Sequence, residues 1–129
     1  MNNIDLTAKN LREQELNSEP KENTDINIRT LLDKVEMSSY IQGYEFWVIA
    51  IKLYKENPNI SLTKQIYPQI AKKFGMIPSR VEGVMRLAIG HTFNRCPDDI
   101  FDSIFGDIIY HRNSKPTNWE FLTALAKQI

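Results

Sequence analysis

Residues 67–86 read YPQIAKKFGMIPSRVEGVMR, and this stretch decides the fold. Ala71 stands where two helices must touch, and a small side chain lets them approach. Gly75 follows four residues later, where the chain leaves the first helix and a positive φ is needed. Val81 comes six residues after that, on the inner face of a second helix. Ile70, Phe74, Met76, Val84 and Met85 fill the apolar positions between and beyond them. The pattern predicts a helix-turn-helix whose second helix presents a polar, partly basic face, the form that enters a DNA major groove.

With Val81 inward, the outward positions near the start of the second helix are Ile77, Pro78, Ser79, Arg80, Glu82, Gly83 and Arg86. Arg80 and Arg86 are candidates for bidentate contacts to guanine O6 and N7. Glu82 can accept from a cytosine amino group, or serve instead in an S-x-x-E capping box with Ser79. A plainer role is also open, because Glu82 and Arg86 are spaced to pair on a solvated face. Lys64 and Ser79 suit phosphate, as do Lys72 and Lys73 if their side of the helix faces DNA.

Charge supports a polyanion partner, though the net charge of zero hides it. Residues 1–25 hold three basic and six acidic side chains. Residues 61–95 hold Lys64, Lys72, Lys73, Arg80, Arg86 and Arg95 against Glu82 alone. Such a patch attracts DNA, but a solvated helix face has the same composition. The chain of 129 residues suits one domain with a tail. No apolar run reaches the ~20 residues of a membrane span, and the start lacks a signal-peptide pattern. The single Cys96 rules out an internal disulfide and fits a reducing cytoplasm.

Working outward, residues 1–25 are polar and acidic and read as a disordered tail, with a short helix around 5–16 as an option. Order is expected from Ile26, with Ile28, Leu31, Leu32 and Val35 on one helical face. Ser38 or Ser39 is expected to cap a central helix reaching about Glu56 and apolar nearly all round, from Tyr40 through Trp47 to Tyr54. Gly43 inside it suggests a close crossing. Leu62–Tyr67 is a short helical piece or turn, and Pro68 fits the first turn of the next helix. The second helix of the motif continues to about Arg95. Asp98 or Asp99 is expected to cap a short helix that Gly106 stops, and residues 107–116 form a loop. Thr117 and Glu120 make a second capping box, opening a last helix that buries Trp119, Phe121, Leu122, Leu125 and Ala126. No convincing strand pattern appears, so the expected class is all-α with about six helices around a central helix-turn-helix.

An enzyme is not indicated. His91 and His111 read as surface residues, and nothing near His91 suggests an oriented pair with Cys96. Asp98, Asp99 and Asp102 read as caps and a solvated face rather than a metal site. No cofactor or metal is expected.

Residues 26–129 resemble the C-terminal DNA-binding effector domains of the stage-zero sporulation protein A response regulators. The resemblance is carried by LTKQIYPQIAKKF, SRVEGVMRLAI, SIFG and SKPTNWEFL, in that order. It implies a six-helix, winged-helix-like fold of the response-regulator effector superfamily, transcriptional control and binding to short operator boxes in double-stranded DNA, often as tandem dimers. It carries Ser79, Arg80, Glu82 and Arg86 over as recognition-helix residues. Ser114 and Lys115 match a segment near DNA or the neighbouring protomer. Two positions depart from the family pattern: Gly83 where an arginine is usual and Leu87 where a histidine is usual, so affinity is expected to fall. The family also carries a phosphoacceptor receiver domain, which residues 1–25 are too few to form; the expectation is a stand-alone cytoplasmic effector domain. A second reading is a protein-interaction module that tunes a full-length relative by mixed dimerisation near Trp119–Ile129.

Overall fold

The computed structural model describes residues 21–106 and 114–129. The expected helix at 5–16, His111 and most of the 107–116 loop therefore lie outside the described residues. Among those described there are six α-helices and no strand: α1 (Lys21–Lys34), α2 (Gln42–Glu56), α3 (Tyr67–Phe74), α4 (Pro78–Arg95), α5 (Asp98–Phe105) and α6 (Asn118–Ala126). A single π-helical turn, Leu62–Ile66, leads into α3. Its Ser61 hydroxyl accepts from the Lys64 N–H, and the Gln65 side chain accepts from the Ser61 N–H.

Helix α2 is the hub, and its composition explains why. Gly43, Tyr44, Phe46, Trp47, Val48, Ala50 and Ile51 are all buried, so it packs against α1, α4 and α6 at once. Gly43 is the point of closest approach. A Cβ placed there would lie 2.6 Å from the Ala88 Cβ and 3.0 Å from the Val84 carbonyl oxygen of α4. The crossing is pinned by Trp47, whose indole N–H donates to the Met85 carbonyl at 3.1 Å. From Trp47 a run of touching rings passes through Phe121 at 4.7 Å, Phe105 at 5.5 Å and Phe101 at 5.0 Å to Phe93 at 5.6 Å. It joins α2, α6, α5 and α4 into one core. At the far end, Lys55 donates to the Ile129 carbonyl at 2.7 Å and closes the chain end onto α2.

Several boundaries differ from expectation. Helix α1 opens at Lys21, ahead of the expected start at Ile26, and Asp25 belongs to the fold. Its carboxylate pairs with Arg29 at 2.7 Å and with Lys52 of α2 at 2.5 Å. Ser38 and Ser39 do not cap α2; Ile41 occupies the N-cap, without a side-chain cap, and Tyr40 is 98% exposed. The Ser38 hydroxyl instead accepts from the Tyr40 N–H within the turn. Asp98 and Asp99 lie inside the first turn of α5, because Pro97 takes the N-cap. They still favour the helix there, as negative charge does near an N-terminus. Trp119 is 45% exposed and packs edge-on to Tyr54 at 5.7 Å rather than entering the core. The Thr117–Glu120 capping box forms as expected.

The α1–α2 seam has a pH consequence. Arg29 holds Glu45 by two hydrogen bonds of 2.7 and 3.0 Å as well as Asp25. Its hydrogen bonds depress both carboxyls below their ordinary range, with Lys52 adding to the effect on Asp25. A depressed carboxyl contributes stability above its unfolded pKa of about 4, lost as pH falls through the lower folded value. Arg29→Met is expected to flatten the dependence of melting temperature on pH below about pH 4. Thermal melts of both proteins between pH 2 and 6 check this.

Candidate nucleic-acid interface

Helices α3 and α4 form the predicted helix-turn-helix. Gly75 leaves α3 at φ 67 and ψ 41, the left-handed conformation glycine adopts without strain. The N–H groups of Gly75 and Met76 then return to the Ala71 carbonyl. Ala71 is 3% exposed and Val81 is fully buried, so both sit between the helices as their spacing requires. Phe74 is 40% exposed, yet one side of its ring rests on Phe46 at 4.9 Å.

The Ser79–Glu82 capping box does not form. Helix α4 begins at Pro78 with Ile77 as N-cap, and no side chain caps it. Proline has the φ a first helical residue needs and no N–H to satisfy, so it starts the helix one residue ahead of Ser79. Ser79 is then already helical, and Glu82 reaches forward to Arg86 instead. The Arg86 guanidinium donates to both Glu82 carboxylate oxygens.

A clamp behind this helix was not foreseen. Asn118, 8% exposed at the start of α6, donates to the Tyr67 hydroxyl at 2.9 Å and to the Glu82 carbonyl at 3.2 Å. It ties α3, α4 and α6 at one point. Burial pushes the Tyr67 hydroxyl pKa up, and the bond from Asn118 opposes that rise. The sequence signal for it was slight: an asparagine directly after a capping threonine.

The inner side of α4 is Val81, Met85, Ala88, Ile89 and Thr92, all buried. The outer side carries Ser79, Arg80, Arg86, Leu87 and Asn94, all exposed, with Gly83 and Gly90 between them. Arg80 has no ion-pair partner among the described residues, whereas Arg86, 64% exposed in its side chain, is paired with Glu82. Lys64, Lys72, Lys73 and Ser114 are exposed around the motif. Lys115 lies beside α4: its Nζ would lie 3.5 Å from a Cβ built on Gly90. That brings the segment ahead of α6 alongside the second half of α4. The surface thus groups Arg80, Arg86 and Lys115 on or beside one helix, while Lys72 and Lys73 sit in the last turn of α3, where they also suit the helix dipole.

A family model described as "Sporulation initiation factor Spo0A C terminal" matches residues 28–129. The chain belongs to this family. Spo0A C-terminal domains are DNA-binding effector domains of sporulation regulators, and the all-helical fold agrees with that membership. Among the described residues no helix is long and apolar enough to cross a membrane, and no cluster of His, Cys, Asp or Glu is arranged to hold a metal ion. His91 is not the surface residue expected: it is half-buried, and its Nε2 is buried without a hydrogen-bond partner among the described residues. Cys96 is buried.

Gly83 is a weak point of α4 in this Spo0A C-terminal domain. A Cβ there would meet only the Arg86 guanidinium, at 3.8 Å, so nothing in the packing demands glycine. Gly83→Ala is expected to stabilise the domain by about 1 kcal/mol. The urea midpoint should rise with an unchanged denaturant slope.

Proposed function

We propose that this chain is a sequence-specific DNA-binding transcriptional regulator that places α4 in the major groove. The observation that carries the reading is the two-sided character of α4. One side is locked into the core through Val81, Met85 and the Asn118 clamp, and the other offers Arg80 and Arg86 to a partner. In this reading Arg80 and Arg86 read guanine edges. Glu82 orients Arg86 or accepts from a cytosine amino group. Lys64, Lys72, Lys73, Ser79, Ser114 and Lys115 supply phosphate contacts that set register.

The reading needs no phosphoacceptor, so the 129 residues are sufficient for binding on their own. Tandem operator boxes would seat a homodimer. Mixed dimerisation through α6 has less support, because Trp119 is the one large apolar side chain of that helix that is markedly exposed among the described residues.

The test begins by selecting a preferred duplex from a random-sequence library with the purified chain. Fluorescence anisotropy then compares that duplex with scrambled controls across salt concentrations. Selective binding that weakens linearly in log–log form with salt supports the reading. Equal, weak binding to every duplex contradicts it and directs the search to protein partners.

A further inference from the structure

We infer that Leu87 is a specificity-determining residue of the DNA-reading face, making an apolar contact with the 5-methyl group of a thymine. The inference rests on the DNA-binding reading above and adds to it a base type and an atom. Leu87 is 75% exposed on α4, two turns beyond Arg80 and one residue beyond Arg86. A single exposed leucine needs no explanation on most surfaces. This one stands at the middle of the helix face that offers the two arginines.

Its neighbours along that face are Gly83, one turn before, and Gly90, one turn after. Each glycine costs the helix about 1 kcal/mol relative to alanine. Neither is required by packing. A Cβ at 83 would meet only the Arg86 guanidinium at 3.8 Å, and one at 90 would meet only the end of Lys115 at 3.5 Å. The fold gains nothing from these two glycines, but a close approach of the helix backbone to a ligand does. They leave Leu87 with no side chain on its own helix face one turn before or after it, while the Arg86 guanidinium lies beside Gly83 and the Lys115 ammonium beside Gly90.

An apolar side chain in that position cannot read a donor or an acceptor. In the major groove the apolar feature of a base pair is the thymine methyl. The arginines read guanine edges, Lys115 holds a phosphate, and Leu87 fits against that methyl.

The experiment uses the full chain and the duplex it selects. Each thymine in turn is replaced by deoxyuridine, which removes the methyl and nothing else. Dissociation constants are measured for the wild type and for Leu87→Ala; the side chain is exposed, so the variant is expected to fold. At one thymine, loss of the methyl is expected to weaken wild-type binding about fourfold, the worth of one buried methyl group. Leu87→Ala is expected to bind the thymine duplex at least that much more weakly, and to bind the thymine and uracil forms at that position equally. The inference is overturned if no methyl matters to the wild type, or if Leu87→Ala keeps the wild-type methyl preference. A change in sedimentation behaviour of Leu87→Ala with methyl preference intact would also overturn it and mark Leu87 as a protein contact. If no preferred duplex emerges from the selection, the DNA-reading proposal itself fails, which is a separate result.

Discussion

Trp47→Ala is expected to lower the unfolding free energy by about 3–5 kcal/mol. Small domains are stable by only about 5–15 kcal/mol, so the variant sits near the edge of folding at room temperature. Three losses combine. A fully buried indole is replaced by a methyl, leaving a cavity at the crossing of α2 and α4. The ring run through Phe121 and Phe105 loses its first member. The Met85 carbonyl loses the indole donor. Trp47→Phe separates these contributions, because it keeps an aromatic ring and removes the hydrogen bond. It should cost far less, about 1 kcal/mol for the bond plus a smaller packing loss. Urea unfolding of the three proteins, with equal denaturant slopes, is the check. Equal costs for the two variants would assign the effect to the hydrogen bond rather than the ring.

Arg80→Ala and Arg86→Ala are each expected to weaken binding to the selected operator by about 1–3 kcal/mol, and the double variant by about the sum. Stability should hardly move for Arg80, which is exposed and has no ion-pair partner among the described residues. Arg86→Ala also loses the pair with Glu82. An exposed i, i+4 pair contributes only about 0.3–0.5 kcal/mol, well below the expected binding loss. The discriminating measurement is anisotropy on operator variants. A base-reading arginine loses preference at one position. A phosphate contact loses affinity on all sequences alike and lowers the salt slope by about one. A loss for Arg86→Ala that is uniform over sequences would therefore remove it from the base-reading set and leave Arg80.

The turn at Gly75, the inward Ala71 and Val81, and the order of helices were all legible in the sequence, because each is a local matter. A left-handed φ, apolar residues at helical spacing and a capping box are decided by residues a few positions apart. The Thr117–Glu120 box formed for that reason. The Ser79–Glu82 box failed for an equally local reason that the motif alone conceals. Pro78 begins the helix one residue early and leaves Glu82 to Arg86. Asp25 shows where local reading stops. The residues before it are polar, so it reads as tail, but one of its two partners, Lys52, lies on another helix.

The all-helical class and the helix-turn-helix were thus legible from local sequence. Periodicity and backbone chemistry act over a few residues and are written in the chain directly. Only the tertiary structure decided that Gly43 is where α2 meets α4, and that Trp47 bonds the Met85 carbonyl. It alone joined α3, α4 and α6 through Asn118, set Lys115 beside Gly90, and left Leu87 exposed between two glycines. Each of these depends on which side chain arrives from a distant part of the chain. That arrival follows from packing the whole core at once, which no local window of sequence contains.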